Sequence, residues 1–237
     1  MNHAPGNRQI KLATYNIHGG VGADGRLDLA RILEVLHELN ADVIGLQEVK
    51  SGMPGAETLA YLAEGTGLHP VAGPTLRDES GHYGNALLTR WPALVKHRMD
   101  LSFHAREPRG ALSITVACPG RLQVVTTHLG LWPPERRYQV KRLLRLFEVE
   151  RVLPAVLMGD INEWLLWGRP LRRLHAYFTE TPAPATFPAR FPLFALDRLW
   201  VRPRQALLDL GVHTSALARR ASDHLPLTAT VECPARA

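Results

Sequence analysis

The segment Ala155-Val156-Leu157-Met158-Gly159-Asp160-Ile161-Asn162 sets the reading of the whole chain: four apolar residues, the length of a buried strand, run into an acid and an amide. The pattern recurs on both sides of it. Strand-like runs fall at 10–15, 43–47, 85–89, 112–117, 122–127, 155–158, 198–201 and 226–231. Between the first two, Leu29, Ile32, Leu33, Leu36 and Leu39 recur at helical spacing behind Asp28, a residue suited to cap a helix N-terminus. Val140, Leu143, Leu144 and Phe147 repeat that spacing later, so helices alternate with strands. The Pro119-Gly120 step between 112–117 and 122–127 is too short for a parallel crossover and predicts a hairpin, which makes the sheet mixed. Positions 179–192, rich in Pro and Ala, read as a long surface loop. With no repeat and no low-complexity linker, the expectation is one α/β domain over 1–237.

At 237 residues, against a typical domain of about 150, one core is sufficient. Hydrophobic residues make up 46% and charged residues 21%, which excludes disordered, collagenous and coiled-coil classes. Every apolar run is far shorter than the ~18 residues of a membrane span, and no positive-then-apolar leader is present, so a cytoplasmic location is expected. Cys118 and Cys233 form no metal-ligand or redox pair in sequence, and neither a disulfide framework nor a cysteine zinc site is expected. The 28 Lys and Arg against 22 Asp and Glu give +6, which permits an anionic partner, although the basic residues are spread along the chain.

Polar groups gather just beyond the apolar runs. Asn16 and His18 follow the first, Glu48 the second, His128 the run at 122–127, and Asp160 and Asn162 the run at 155–158; Asp197 opens another, and Ser222-Asp223-His224 precedes the last. Ligand sites in α/β sheets collect at the carboxyl ends of strands, so these groups point to one shared site. Taken singly, each has a plainer reading. Asn16, Asn162 and Asp197 suit turns or caps, and His128 and His224 suit hydrogen-bonded structural histidines. The ordered set Tyr-Asn-Ile-His, Leu-Gln-Glu-Val, Thr-His-Leu, Gly-Asp-Ile-Asn, Leu-Asp-Arg and Ser-Asp-His outweighs them.

In that order the motifs, spanning about 10–231, resemble the endonuclease/exonuclease/phosphatase superfamily, which includes DNase I, apurinic endonucleases, neutral sphingomyelinases and inositol polyphosphate phosphatases. The stretches 16–28, 107–112 and 162–164 look like its compact bacterial metal-dependent hydrolases. The resemblance implies a four-layer α/β/β/α arrangement of two mixed sheets flanked by helices. It also implies Mg2+- or Mn2+-dependent phosphodiester hydrolysis by in-line attack of water. Glu48 would be the principal metal ligand, with Asn16, Asp160, Asn162 and Asp223 as further oxygen donors, a set that suits a hard cation and not zinc. Asp160 and Asn162 would orient the attacking water or a second metal, His128 would hydrogen-bond a phosphate oxygen, and Asp197 would hold His224. Whether His224 or Asp160 is the base stays open. Asn85 and Arg109 match positions that line family sites, with a turn and a surface ion pair as their plainer readings.

Two departures stand out. Leu88-Thr89-Arg90 is followed by Trp91-Pro92 without the glutamate that DNase-like members use to orient the first histidine, which leaves His128 without an evident partner. His18 occupies a place where apurinic endonucleases carry an aspartate. Substrate readings therefore run from a small or lipid-like phosphodiester, through DNA or RNA, to a silent binding protein on the same scaffold. The stretch 164–169 with Arg172 and Arg173 fits a nucleotide clamp, peripheral membrane contact or packing of a helix on the core, with packing the first expectation. Glu135-Arg136-Arg137-Tyr138-Gln139 resembles an Arg-x-x-Gln pattern of the sphingomyelinase-like branch, expected to support the loop after His128. No obligate protein partner is implied.

Overall fold

Strand β1 (Arg8–Asn16) is apolar on both faces: Ile10 and Leu12 enter one hydrophobic cluster, Ala13 and Tyr15 another, and all four are fully buried. A strand of this kind must be covered on both sides. The computed structural model, which describes residues 8–53, 56–78, 81–118, 120–149 and 153–233, shows how.

Helix α1 (Leu29–Leu39) starts where the Asp28 carboxylate accepts from the N–H groups of Ala30 and Arg31, and ends at Asn40 in the left-handed region. Its stripe of Ile32, Val35, Leu36 and Leu39 covers the outer face of β1 and of β2 (Val43–Met53), which lies parallel to β1. Next come β3 (Ala56–Glu57), α2 (Thr58–Thr66), β4 (His69–Asp78) and β5 (Gly81–Thr89). The chain then crosses to a second sheet with β6 (Ala93–Asp100), β7 (Gly110–Val116) and β8 (Leu122–His128). After α3 (Pro133–Leu143) and α4 (Leu146–Val149), β9 (Ala155–Asp160) runs parallel to β8. Helix α5 (Arg169–Phe178) and β10 (Asp197–Arg202) complete that sheet, and β11 (Leu207–Val212), α6 (Ala218–Ala221) and β12 (Leu227–Cys233) return to the first.

The first sheet has the order β11-β12-β1-β2-β5-β4, with β3 beside β2; the second has the order β10-β9-β8-β7-β6. Both are mixed. Three clusters define the layers: one between the sheets, with Ile10, Leu12 and Leu87 against Ile114, Val124 and Met158; one under α1, α2 and α6; and one in which α3 to α5 cover Val125, Leu157 and Trp200. This is the four-layer α/β/β/α fold. Each sheet contains one strand-helix-strand crossover, β1-α1-β2 and β8-α3-α4-β9, and these two crossovers deliver the polar strand ends.

The eight runs of the sequence reading coincide with β1, β2, β5, β7, β8, β9, β10 and β12. The hairpin between β7 and β8 is antiparallel as expected, although Pro119 lies outside the described residues. Two readings need correction. The periodic stretch through Val140 and Phe147 is not one helix: it turns at Leu144 and Arg145, and Phe147 is buried from the separate α4. The loop at 179–192 is irregular but not superficial, since Thr181, Thr186 and Ala189 are buried. Cys118 and Cys233, unpaired in sequence, are buried free thiols with Sγ atoms 2.8 Å apart, where the β7–β8 turn meets the end of β12.

Candidate active site

The first sheet contributes an amide and an acid. Asn16 ends β1, and its Nδ2 donates to Glu48 Oε1 at 3.0 Å and, across the gap between the sheets, to Asp160 Oδ2 at 3.1 Å. Glu48 reaches that position through a bulge: the β2–β5 register shifts between Leu46 and Val49, and Glu48 has φ 57°. A bulge of this kind turns one side chain out of the alternation of its strand. Tyr83 on β5 hydrogen-bonds Glu48, and burial, reinforced by the Glu48 charge, raises its phenol pKa. Below them Gln47 Nε2 donates to Thr14 Oγ1 at 3.1 Å and to Thr126 Oγ1 at 2.9 Å, a buried polar bridge that fixes one sheet against the other.

The second sheet sets three groups side by side, because His128 and Asp197 both register with Asp160 on neighbouring strands. Gly159, at φ 145°, permits this approach: a Cβ there would lie 2.0 Å from the Thr127 carbonyl oxygen. Asn162, in the left-handed region at φ 52°, donates its backbone N–H to Asp160 Oδ1 at 2.9 Å and its amide to Leu129 O at 2.9 Å. That amide nitrogen lies 3.0 Å from His128 Nε2.

Two histidines flank Asp160 in opposite charge states. Arg109 Nη1 is 2.9 Å from His128 Nδ1. A guanidinium and an amide NH2 can only donate, so Arg109 at Nδ1 and Asn162 at Nε2 compete for the single acceptor nitrogen of a neutral imidazole, while Asp160 Oδ2 lies 3.5 Å from Nε2. Burial pushes the His128 pKa down to about 3, with Arg109 adding to the effect and Asp160 opposing it, so the ring is neutral. His224 is also buried, but Asp197 Oδ2 at 2.8 Å from its Nδ1, together with Asp160 and Asp223, outweighs desolvation and pushes it up to about 10. It is an imidazolium at neutral pH, with Nε2 3.7 Å from Asp160 Oδ2. Thr186, from the loop before β10, donates to Asp197 Oδ2 at 2.5 Å and so secures the carboxylate that holds the imidazole.

Asn16, Glu48, His128, Asp160, Asn162, Asp197 and His224 therefore meet. Asp223 stands at the rim, with Oδ1 3.8 Å from His18 Nδ1, and no contact with Glu48 or Asp160 is found among the described residues. Asn85 is buried and donates to Gly110 O at 2.9 Å; it shares a small recess with Tyr83, Arg109 and His128. Sequence reasoning missed Tyr83, Gln47 and Thr186. It also left His128 without a partner, although the partner, Arg109, lies in the stretch 107–112 that it singled out.

The loop after His128 is braced as expected. Gln139 accepts from Gly130 N at 2.8 Å, and Arg136 donates to Gly130 O at 3.2 Å while its Nε pairs with buried Glu163 at 3.3 Å, joining this loop to the one after Asn162. The stretch 164–169 does not behave as expected: Trp164, Leu165, Leu166 and Trp167 are exposed, so packing on the core is not its role. Asp160, Asp197 and His224 offer ligand atoms within 4.8 Å of one another, but Asp197 and His224 are already bonded to each other. Glu48 and Asp160 are the oxygen donors facing the gap.

Comparison with known proteins agrees with this fold. The model of the Endonuclease/Exonuclease/phosphatase family matches residues 13–224. The uncharacterized protein YbhP of Escherichia coli K12 is 31% identical over 243 residues, covering 94% of this chain and 96% of that protein. The structure of an endonuclease/exonuclease/phosphatase from Bacteroides vulgatus superposes with TM-score 0.79 at 20% identity, covering 96% of this chain and all of that one (100%). A mannosyl-6-phosphatase from Bacteroides thetaiotaomicron gives 0.74 at 19% identity, covering 93% and 98%.

Proposed function

The chain belongs to the endonuclease/exonuclease/phosphatase family, a hydrolytic family of phosphatases and nucleases, and on that premise we propose that it is a Mg2+- or Mn2+-dependent phosphodiesterase acting on a small-molecule or phospholipid-type diester. The observation that carries this reading is Asp160, flanked by a neutral His128 and a charged His224 and joined to Glu48 through one Asn16 amide group.

The donor set fits a hard cation. Glu48 and Asp160 bring two carboxylates to the one Asn16 NH2 group, with Asp223 at the rim, while the Asn16 amide oxygen accepts from His18 N–H at 3.0 Å and so does not face the pair. A divalent cation held there polarises a phosphoryl oxygen and offsets that charge. The protein groups supply the rest. Asp160 is held by the Asn162 N–H at Oδ1 and the Asn16 amide at Oδ2, and the carboxylate so fixed would orient a water for in-line attack and accept its proton. His128 would hydrogen-bond a non-bridging oxygen as negative charge builds there. Asp160 would serve as the base, and His224, steadied by Asp197 and Thr186, as a donor to the phosphorane oxygens. Arg109 is committed to His128 and to Glu107 at 3.0 Å, so it acts through the histidine and not on substrate directly.

The test is a turnover panel with Mg2+ or Mn2+ on a chromogenic diester, phospholipid, plasmid DNA, abasic DNA and RNA. Turnover of the diester and phospholipid, without efficient incision at abasic sites, supports the reading. An abasic-site rate orders of magnitude above the diester rate replaces it with a nuclease, and silence on every substrate returns the scaffold to a binding role.

A further inference from the structure

Three loops leave the site, and each carries large apolar side chains into solvent. Leu131 and Trp132 follow His128, positions 164–167 follow Asn162, and Phe191, Leu193 and Phe194 precede Asp197. Leu166, Trp167, Phe191 and Leu193 are 59%, 70%, 68% and 74% exposed. These groups are not scattered. The Trp164 ring packs edge-on against Phe194 at 4.8 Å and Phe187 at 5.8 Å, and the Phe187 ring lies 4.8 Å from that of His224. The apolar surface thus begins at the candidate site and spreads outward from its mouth.

Directly after Trp167, the first turns of α5 supply Arg169, Arg172 and Arg173, which with Arg137 of α3 line a cleft of about 450 Å³ whose other lining residues are apolar and include no acid. A monomeric protein does not ordinarily leave clustered apolar loops beside guanidinium groups that pair with no acid among the described residues unless something covers them. Apolar tips next to a basic flank fit a negatively charged interface with a hydrocarbon interior. A single-stranded nucleic acid fits less well: it is gripped by stacking on aromatic rings, whereas Leu131, Leu165, Leu166 and Leu193 have no π face to offer.

We propose that this rim docks the protein on an anionic phospholipid bilayer. The loops at 164–167 and 191–194 enter the boundary between headgroups and acyl chains, the arginine cleft faces lipid phosphates, and a headgroup phosphoester is presented to the mouth of the site. Only the last step rests on the phosphodiesterase reading; docking does not.

The experiment is co-sedimentation of the full-length chain with vesicles of phosphatidylcholine alone and of phosphatidylcholine mixed with phosphatidylglycerol. The wild type is compared with the pair Leu166→Asp/Trp167→Asp and the pair Arg172→Glu/Arg173→Glu, and each protein is also assayed on a soluble chromogenic diester. The expected result is binding to the anionic vesicles about tenfold or more tighter than to the neutral ones. Each variant pair loses about tenfold or more of that binding with its circular dichroism and soluble-diester rate unchanged. Wild-type protein left in the supernatant with both vesicles overturns the proposal, as does vesicle binding that both pairs retain. So does an oligonucleotide affinity that the variants lose while vesicle binding persists. If vesicle binding follows the expected pattern but no diester is hydrolysed, docking stands and the phosphodiesterase reading falls.

Discussion

Arg109 Nη1 lies 2.9 Å from His128 Nδ1, so a cation holds the imidazole that the sequence, lacking the glutamate of DNase-like members, left without an evident partner. The sign of that partner matters. A carboxylate at Nδ1 would hold a proton there and raise the pKa, whereas the guanidinium can only donate to Nδ1 and helps to keep the ring neutral.

Arg109 is therefore expected to contribute through His128. Arg109→Gln should lower kcat/KM by about 10- to 100-fold and His128→Ala by about 100-fold or more. The double variant should be no worse than His128→Ala alone. Losses that multiply in the double variant would mean that Arg109 serves substrate independently of the histidine.

His224 gives the metal-free protein a signature in pH. Its folded-state pKa, about 10, lies above its ordinary value of 6.5. Stability derived from the imidazolium is thus fully present below about 6.5 and is lost as pH rises through about 10. Urea titrations in chelator should show wild-type stability falling across this window, and the fall should be much reduced in Asp197→Asn. A wild-type profile that is flat from neutral pH to pH 10 would contradict the charge state assigned to His224.

Gly159→Ala tests the approach of β9 to β8. The left-hand φ of 145° and a Cβ placed 2.0 Å from Thr127 O leave backbone, not a flexible side chain, to move. The substitution should destabilise the fold by about 3 kcal/mol or more and disturb Asp160 beside it, read as a lower urea midpoint. A midpoint within error of wild type would show that the strand yields.

Arg136 and Glu163 form a buried ion pair, 3% and 4% exposed, between the loops after His128 and Asn162. Arg136→Leu leaves the Glu163 charge uncompensated and should cost about 3–5 kcal/mol. Glu163→Gln in that background should recover part of the loss; no recovery would point to the Gly130 and Leu131 carbonyl contacts of Arg136 instead.

The strands read correctly from sequence are those buried on at least one face, such as β8 and β9, where all seven and all six residues are buried. The longer strands that escaped notice, β4, β6 and β11, are all sheet edges. An edge strand is half solvated and tolerates polar residues and proline, and β4 carries Pro70 and Pro74 while β6 carries Lys96, His97 and Arg98, so neither alternation nor an apolar run marks them. Site residues at strand ends were legible for the same reason as the strands. Tyr83, Thr186 and the pairing of Arg109 with His128 depend on which loops meet in space, and nothing local announces that. The exposed tryptophans at 164 and 167 show the reverse failure: an apolar stretch in sequence is no evidence of burial when a basic segment follows it and the loop leads away from the sheet.

The most direct test of the phosphodiesterase account is a metal titration of diester hydrolysis after the protein has been stripped with chelator, with wild type beside Glu48→Gln. The account predicts no turnover in excess chelator, recovery on adding Mg2+ or Mn2+, and a metal concentration for half-maximal rate that is about tenfold or more higher in Glu48→Gln. Full turnover in chelator, or a titration midpoint unchanged by the substitution, would contradict it.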